Sequence, residues 1–200
     1  MSIEQKLEQL YAAVGEMLVG EDLSPIKPVT EIINDKPRYS VDFSGGVSRA
    51  TAANRVSTLI GNIACLKDYL RAWCKANGKP FRGEELIDGN INVAIIHDLW
   101  NLDKHAGHDR SSRSNLFPRF SDAPQTVLAI KSDSTTGPAS VTISFGSGVV
   151  QKQGNVTLQI SAEVIDKNGN ILGKLESIAE KAVSAWEEEF KSLGMKVNDE

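Results

Sequence analysis

The pattern that says most about the fold is INVAIIHDLWNLDKHAGHDRSSR, which spans residues 91–113. All three histidines of the chain lie within it: His97, His105 and His108. On a helix of 100° per residue, five polar residues fall within about 120° of one another: His97, Asp98, Asn101, Lys104 and His105. Apolar residues flank this polar stripe on both sides. The pattern therefore predicts a largely buried helix whose polar side faces a cleft, a partner or solvent.

The polar stripe has two interpretations. Its imidazole, carboxamide, ammonium and carboxylate groups include both hydrogen-bond donors and acceptors, and histidine exchanges a proton near neutral pH. This combination suits proton transfer or the binding of a polar ligand, with His97, Asp98 and His108 as further pocket residues. The alternative is a solvated helix face, which is what charged residues on a helix usually form.

The segment that follows the predicted helix is locally basic. Between Lys104 and Phe120, four basic residues stand against one acidic residue, Asp109, for a local net charge of +3. The whole chain of 200 residues has a net charge of -4, which argues against a globally basic nucleic-acid binder. Arginines in a serine-rich loop suit a phosphate group. The predicted phosphate ligands are Lys104, Arg110 and Arg113. A solubilising loop with scattered arginines is the alternative.

A metal site is the weakest functional interpretation of the same stretch. His105 and His108 straddle the predicted helix end, and zinc sites do use histidine with carboxylate. However, their spacing matches no established metal motif, and both cysteines lie in another predicted helix. We therefore predict no metal and no other cofactor, and keep a metal-dependent hydrolase only as a third alternative.

Cysteine usage and hydropathy bear on the compartment. Cys65 and Cys74 are nine positions apart in one predicted helix and point to roughly opposite sides, so they cannot bridge each other. Unpaired cysteines favour a reducing compartment. The N-terminus has no apolar signal core, and no apolar run is long enough to span a bilayer. These observations predict a cytoplasmic protein without a membrane partner.

Periodic patterns elsewhere predict the remaining elements. Helical spacing of apolar residues predicts helices over 2–19, 48–77, 91–107 and from about 176 to 194. Ser2 with Gln5, and Ser177 with Glu180, resemble capping boxes. Period-two alternation of β-branched residues predicts strands over 39–43, 126–130, 141–145 and 156–160. An Asn-Gly hairpin signal at 166–170 precedes a return strand at 171–172.

These elements predict an α+β fold, a helical bundle with a small antiparallel β-sheet preceding the C-terminal helix. A chain of this length is expected to form a single domain, 1–200. Its helical core would comprise residues 1–20, 48–107 and 176–194, and its β-rich segment would span about 125–173.

The sequence Trp100-Asn101-Leu102-Asp103-Lys104-His105 resembles the Arg-Asn-x-x-x-His motif of HEPN domains, with tryptophan in the position of the arginine. HEPN domains are helical bundles, often dimeric, of bacterial toxin, defence and RNA-processing systems. In active members the arginine and histidine cleave RNA without metal. The resemblance implies that Asn101 and His105 are the catalytic candidates. Without the arginine, the main stabiliser of the phosphate and of the developing charge is missing.

The segment from Asp98 to Arg110 is also similar to an uncharacterised bacterial group with an Asn-x-x-Lys-His core. In that group, β-strands and a final helix containing Trp-Glu follow the core, as Trp186-Glu187 does here. The leading hypothesis is a HEPN-like protein that binds RNA or a nucleotide phosphate, with ribonuclease activity in question. The rival hypothesis is a non-catalytic, homodimeric interaction protein.

Overall fold

The computed structural model describes residues 2–105, 111–131 and 137–195, with only the backbone of His105. Five helices lie in these ranges: α1 (Ile3–Glu16), α2 (Arg49–Asn77), α3 (Gly83–Gly89), α4 (Ile91–His105) and α5 (Leu175–Ser192). The first seven strands are β1 (Leu18–Gly20), β2 (Lys27–Ile33), β3 (Lys36–Asp42), β4 (Arg119–Phe120), β5 (Gln125–Lys131), β6 (Ser140–Ser144) and β7 (Val149–Gln153). Three more follow: β8 (Asn155–Ser161), β9 (Glu163–Ile165) and β10 (Ile171–Lys174). The predicted α+β class is confirmed.

The chain forms two compact units. The helical unit consists of Met1–Gly15, Asn54–Ala123 and Ala162–Glu200, and the strand unit of Glu16–Ala53 and Pro124–Ser161. The prediction of a single domain, which came from chain length, stays a prediction. No helix in the described ranges is long and apolar enough to cross a membrane.

Side-chain caps set several helix starts in agreement with the sequence. Ser2 and Gln5 form the predicted capping box, with the backbone N–H of each donating to the side chain of the other at 2.9 and 3.3 Å. Asn90 accepts from the backbone N–H groups of Asn92 and Val93, which separates α3 from α4. The second capping box was wrong. Helix α5 begins at Leu175, directly after β10, and no side chain caps it.

The core of the helical unit surrounds α4. Every residue from Val93 to Leu99 is buried, as the predicted largely buried helix requires. Trp186 and Phe190 of α5 stack on each other and are fully buried. Trp100 is partly buried, and its ring packs on α2 at Gly61, where an added Cβ would lie only 2.9 Å from the ring.

A small antiparallel sheet in the helical unit precedes α5, as predicted, in the order β10-β9-β4. The predicted Asn-Gly hairpin joins β9 to β10. In its turn the Asp166 carboxylate accepts from the backbone N–H groups of Asn168 and Asn170 and from the Asn170 side chain, each at 2.8 Å.

The strand unit contains three sheets: β1-β8-β5, β2-β3 and β6-β7. Its buried cluster consists of Leu23, Ile26, Val156 and Leu158. The hairpin β2–β3 turns through Asn34 and Asp35, whose φ angles of 50° and 59° suit the tight turn of a two-residue loop. Beyond this cluster the hairpin leaves Ile32 78% exposed and Tyr39 58% exposed.

Candidate functional site

The polar stripe divides into a buried and an accessible part. His97 and Asp98 are 7% and 2% exposed, Asn101 is partly buried, and Lys104 is exposed. The side chain of His105 and all of His108 and Arg110 lie outside the described residues. The structure therefore places the predicted stripe on one helix but locates the side chains of only part of the predicted site.

Asp98 is a structural anchor for the basic loop, the locally basic segment between Lys104 and Phe120. Its carboxylate accepts four hydrogen bonds from residues 112–114: the Ser112 hydroxyl at 2.5 Å, the Arg113 backbone N–H at 2.8 Å, and the Ser114 backbone N–H and hydroxyl at 3.0 and 2.6 Å. Hydrogen-bonded donors of this kind offset the cost of burying a carboxylate. Asp98 thus holds residues 112–114 against the middle of α4.

The two serines continue this network into the loop. The Ser112 hydroxyl accepts from the backbone N–H of Phe117 at 3.2 Å, and the Ser114 hydroxyl accepts from Leu116 at 3.2 Å. Both serines are buried. The sequence pattern assigned no role to these serines, and the structure shows that they bind the protein's own carboxylate, Asp98. A buried aspartate in an apolar helix was the signal that nearby donors would be needed.

Arg113 is bound by carboxylates at its side chain as well as by Asp98 at its backbone. Its Nη2 lies 2.9 Å from Oε2 of Glu84, and its Nε lies 2.8 Å from Oδ1 of Asp88. Both carboxylates belong to α3. A phosphate ligand at Arg113 would have to compete with them, and the phosphate-binding role of this residue stays a prediction.

Two cations from α2 form ion pairs with the same glutamate, Glu84. Lys67 Nζ lies 3.5 Å and Arg71 Nη2 lies 2.5 Å from Oε1 of Glu84. Arg71 also pairs with Asp68 at 3.6 Å. We call Lys67, Arg71, Glu84 and Arg113 the Glu84 cluster. Burial acts to raise the pKa of the Glu84 carboxyl, but the hydrogen bond from Arg113 and the charge of Lys67 outweigh it and hold the pKa below its usual value.

His97 is a buried, neutral histidine near this cluster. Its pKa falls from 6.5 to about 4, first because burial penalises the imidazolium and then because Lys67 and Arg113 repel it. The charges of Glu84 and Asp68 act in the opposite direction. Within the described part of the chain, the buried Nε2 of His97 has no hydrogen-bond partner. A histidine with this pKa is a poor proton shuttle at neutral pH, although it can still donate or accept a hydrogen bond.

A cavity of about 370 Å³ lies beside the C-terminal half of α4. Its lining is mostly apolar: Ser57, Ile60, Leu99, Leu102, Asp103 and Phe120. None of the predicted site residues whose side chains the structure describes lines this cavity. The cavity and the described side chains of the polar stripe are therefore separate features of the helical unit.

The described side chains do not form a metal site. In residues 2–104, 111–131 and 137–195, no three histidine, cysteine, aspartate or glutamate side chains converge on one position. Cys65 and Cys74 are both free thiols, as their spacing on α2 predicted, and burial raises the pKa of Cys74.

Comparisons of the chain with protein-family models, with curated proteins and with solved structures found no match. The HEPN resemblance consequently stays a prediction that rests on the residues around Asn101 and His105.

Proposed function

We propose that the protein binds the phosphate groups of RNA or of a nucleotide at the polar stripe and the basic loop, without cleaving the ligand. The observation that carries this proposal is the anchoring of residues 112–114 by Asp98, because it holds these residues against the helix that carries Asn101 and Lys104. An exposed lysine and a partly buried carboxamide then lie one to two helical turns beyond the anchor.

In this proposal each residue has a distinct part. Lys104, Arg110 and Arg113 supply positive charge, Asn101 orients the ligand, and His105 contacts the phosphate or transfers a proton. The HEPN-like motif is the reason for assigning His105 this role. The same resemblance supports a place in a bacterial defence or toxin system.

The position of Trp100 supports binding rather than cleavage. In the family motif an arginine would stand here, and removing a preorganised charge of this kind costs several kcal/mol in the transition state, or about 10²–10³ in rate. The Trp100 ring instead packs against the backbone of α2 at Gly61. Because the Trp100 ring is uncharged and packs against α2, it supplies no positive charge to a phosphate.

The test is binding of a short single-stranded RNA and of a nucleotide at low salt. We expect Lys104→Ala combined with Arg110→Ala to weaken wild-type binding by at least about tenfold and to reduce its salt dependence, because fewer counterions are released. The matched control is Lys75→Ala combined with Lys181→Ala, which removes two exposed charges elsewhere in the helical unit. Absence of any binding by the wild type would remove the proposal.

The same samples report on chemistry. We expect RNA to remain intact on a denaturing gel after incubation with the wild type. Metal-independent cleavage that disappears in His105→Ala would show that the motif works without its arginine.

A homodimeric interaction protein is the second candidate. The observation in its favour is the exposed apolar surface of the β2–β3 hairpin, with Ile32 and Tyr39 mostly exposed. Exposed apolar patches of this kind mark interaction sites. Sedimentation over a range of concentrations distinguishes a self-associating protein from a monomer that binds RNA.

A further inference from the structure

Three cations from two parts of the helical unit converge on one carboxylate. Lys67 and Arg71 come from α2, and Arg113 comes from the loop that Asp98 anchors. Lys67 and Arg71 share the Oε1 atom of Glu84, whereas Arg113 takes Oε2. The two Glu84 oxygens thus serve three cations, and Arg71 and Arg113 each also pair with a second carboxylate, Asp68 and Asp88 respectively.

A terminal phosphate group fits these three cations better than a carboxylate does. It has three terminal oxygens, enough for one to face each cation, and it carries up to one charge more than a carboxylate. Guanidinium groups match both phosphate and carboxylate geometry, so Arg71 and Arg113 can pair with either group. The side chain of Glu84 is 39% exposed, which leaves the glutamate reachable and replaceable from solvent.

The second observation concerns His97, a buried histidine of α4. His97 is only 7% exposed. Its Nε2 atom has no hydrogen-bond partner among the described residues. His97 directly precedes Asp98, whose carboxylate accepts from the backbone N–H of Arg113 at 2.8 Å, and the charges of Lys67 and Arg113 act on its imidazole. A buried polar atom without a partner is costly, and a ligand oxygen or a water held by a ligand would satisfy it.

We propose that Lys67, Arg71 and Arg113 form a binding site for a terminal phosphate group, and that Glu84 occupies this site when no ligand is bound. Glu84 is then an internal competitor that lowers the affinity of the site for its ligand. The inference rests on the proposed function for the class of ligand, an RNA end or a nucleotide. It adds the chemical form of the phosphate and the residue that regulates access to it.

The experiment measures binding by isothermal titration calorimetry at low salt, with inorganic pyrophosphate and with one RNA oligonucleotide carrying either a 5′-phosphate or a 5′-hydroxyl. Glu84→Gln keeps the size of the side chain and removes the competing charge. We expect it to bind pyrophosphate and the 5′-phosphorylated RNA at least about tenfold more tightly than the wild type, because a like charge leaves the site. The affinity for the 5′-hydroxyl RNA should increase much less.

The matched control is Glu85→Gln, which makes the same change of charge at the exposed neighbouring residue. Equal gains in Glu84→Gln and Glu85→Gln would show an effect of net charge alone and overturn the proposal. Adding Arg71→Gln to Glu84→Gln should remove the gain, and persistence of the gain would also overturn it. Melting curves of all variants confirm that each is folded.

The outcomes separate this inference from the proposed function. Suppose that RNA binds through Lys104 and Arg110 but Glu84→Gln leaves the binding affinity unchanged. The proposal that Glu84 is an internal competitor is then wrong, and the proposed function stands. If Glu84→Gln binds pyrophosphate tightly and no variant binds RNA or a nucleotide, the phosphate site stands and the proposed function fails.

Discussion

The helical unit and the strand unit differ in which side chains they bury and which they expose. The helical unit buries most of the polar side chains that are buried in the described ranges: Lys6, His97, Asp98, Ser112, Ser114 and Asp166. The strand unit contributes only Ser161 to this set. Conversely, most large apolar side chains that are exposed belong to the strand unit: Leu18, Val29, Ile32, Ile33, Tyr39, Ile130 and Val149.

This difference indicates how each unit is specified. Buried polar groups tolerate few arrangements, because each must find its hydrogen-bond partners within the protein. The helical unit is therefore specified by particular side-chain contacts in addition to its core. The strand unit depends more on backbone pairing around a small cluster, and two-stranded sheets such as β2–β3 are marginal without further packing.

The largest effect should come from the core of the helical unit. Trp186→Ala is expected to lower its free energy of unfolding by about 3–5 kcal/mol, because a fully buried indole is removed. Leu158→Ala in the strand unit should cost about 2–4 kcal/mol, since its cluster is smaller. Fluorescence of Trp73 and Trp100 reports on the helical unit in the first variant. Hydrogen exchange of β8 amides reports on the strand unit in the second.

A larger loss for Leu158→Ala than for Trp186→Ala would break the comparison. It would show that the strand unit, despite its exposed apolar residues, has the more rigid core of the two.

The next effect tests whether buried polar contacts specify the helical unit. Asp98→Ala should destabilise it by about 3 kcal/mol, because the two serine hydroxyls and two backbone N–H groups lose their acceptor. Asp103→Ala is the matched control, an exposed aspartate on the same helix, and should change stability by less than about 0.5 kcal/mol. Chemical denaturation followed by tryptophan fluorescence measures both. Similarly small changes in the free energy of unfolding of the two variants would mean that the Asp98 hydrogen bonds contribute little to stability.

Local patterns predicted much of the fold because their signals lie close together in sequence. Helix α2 was predicted over 48–77 and spans Arg49–Asn77, and the predicted strands at 126–130 and 156–160 lie within β5 and β8. Apolar periodicity and nearby capping groups suffice for such elements. Strand β1 was missed because three residues carry no period, and its pairing partner is distant: Leu18 pairs with Gln159.

The site shows the same limit more strongly. The helical wheel placed His97 and Asp98 in one polar stripe with Asn101 and Lys104, and α4 does contain all four. Periodicity could not show that Asp98 would bind residues 112–114, or that Glu84 would bind Arg113, because these contacts join different elements. The arginine that sequence assigned to a phosphate therefore already has carboxylate partners from α3.

The smallest effect concerns the one buried histidine that the structure describes in full. His97 takes up a proton near pH 6.5 in the unfolded chain but only near pH 4 in the folded protein. Between these values the unfolded state binds more protons, so lowering the pH destabilises the folded state. The stability that the neutral imidazole contributes is complete above pH 6.5 and is lost as the pH falls toward 4. The expected loss is about 2 kcal/mol between pH 7 and pH 5.

The variant His97→Gln isolates this effect, since glutamine is polar but does not titrate in this range. Its free energy of unfolding should change less between pH 7 and pH 5 than that of the wild type, by about the same 2 kcal/mol. Measuring above pH 5 keeps the carboxylates ionised in both states, so their titration adds little. Parallel pH profiles for wild type and variant would mean that His97 is not desolvated in the folded protein. The buried polar character of the helical unit would then rest on its other buried polar groups, among them Asp98 and its two serine partners.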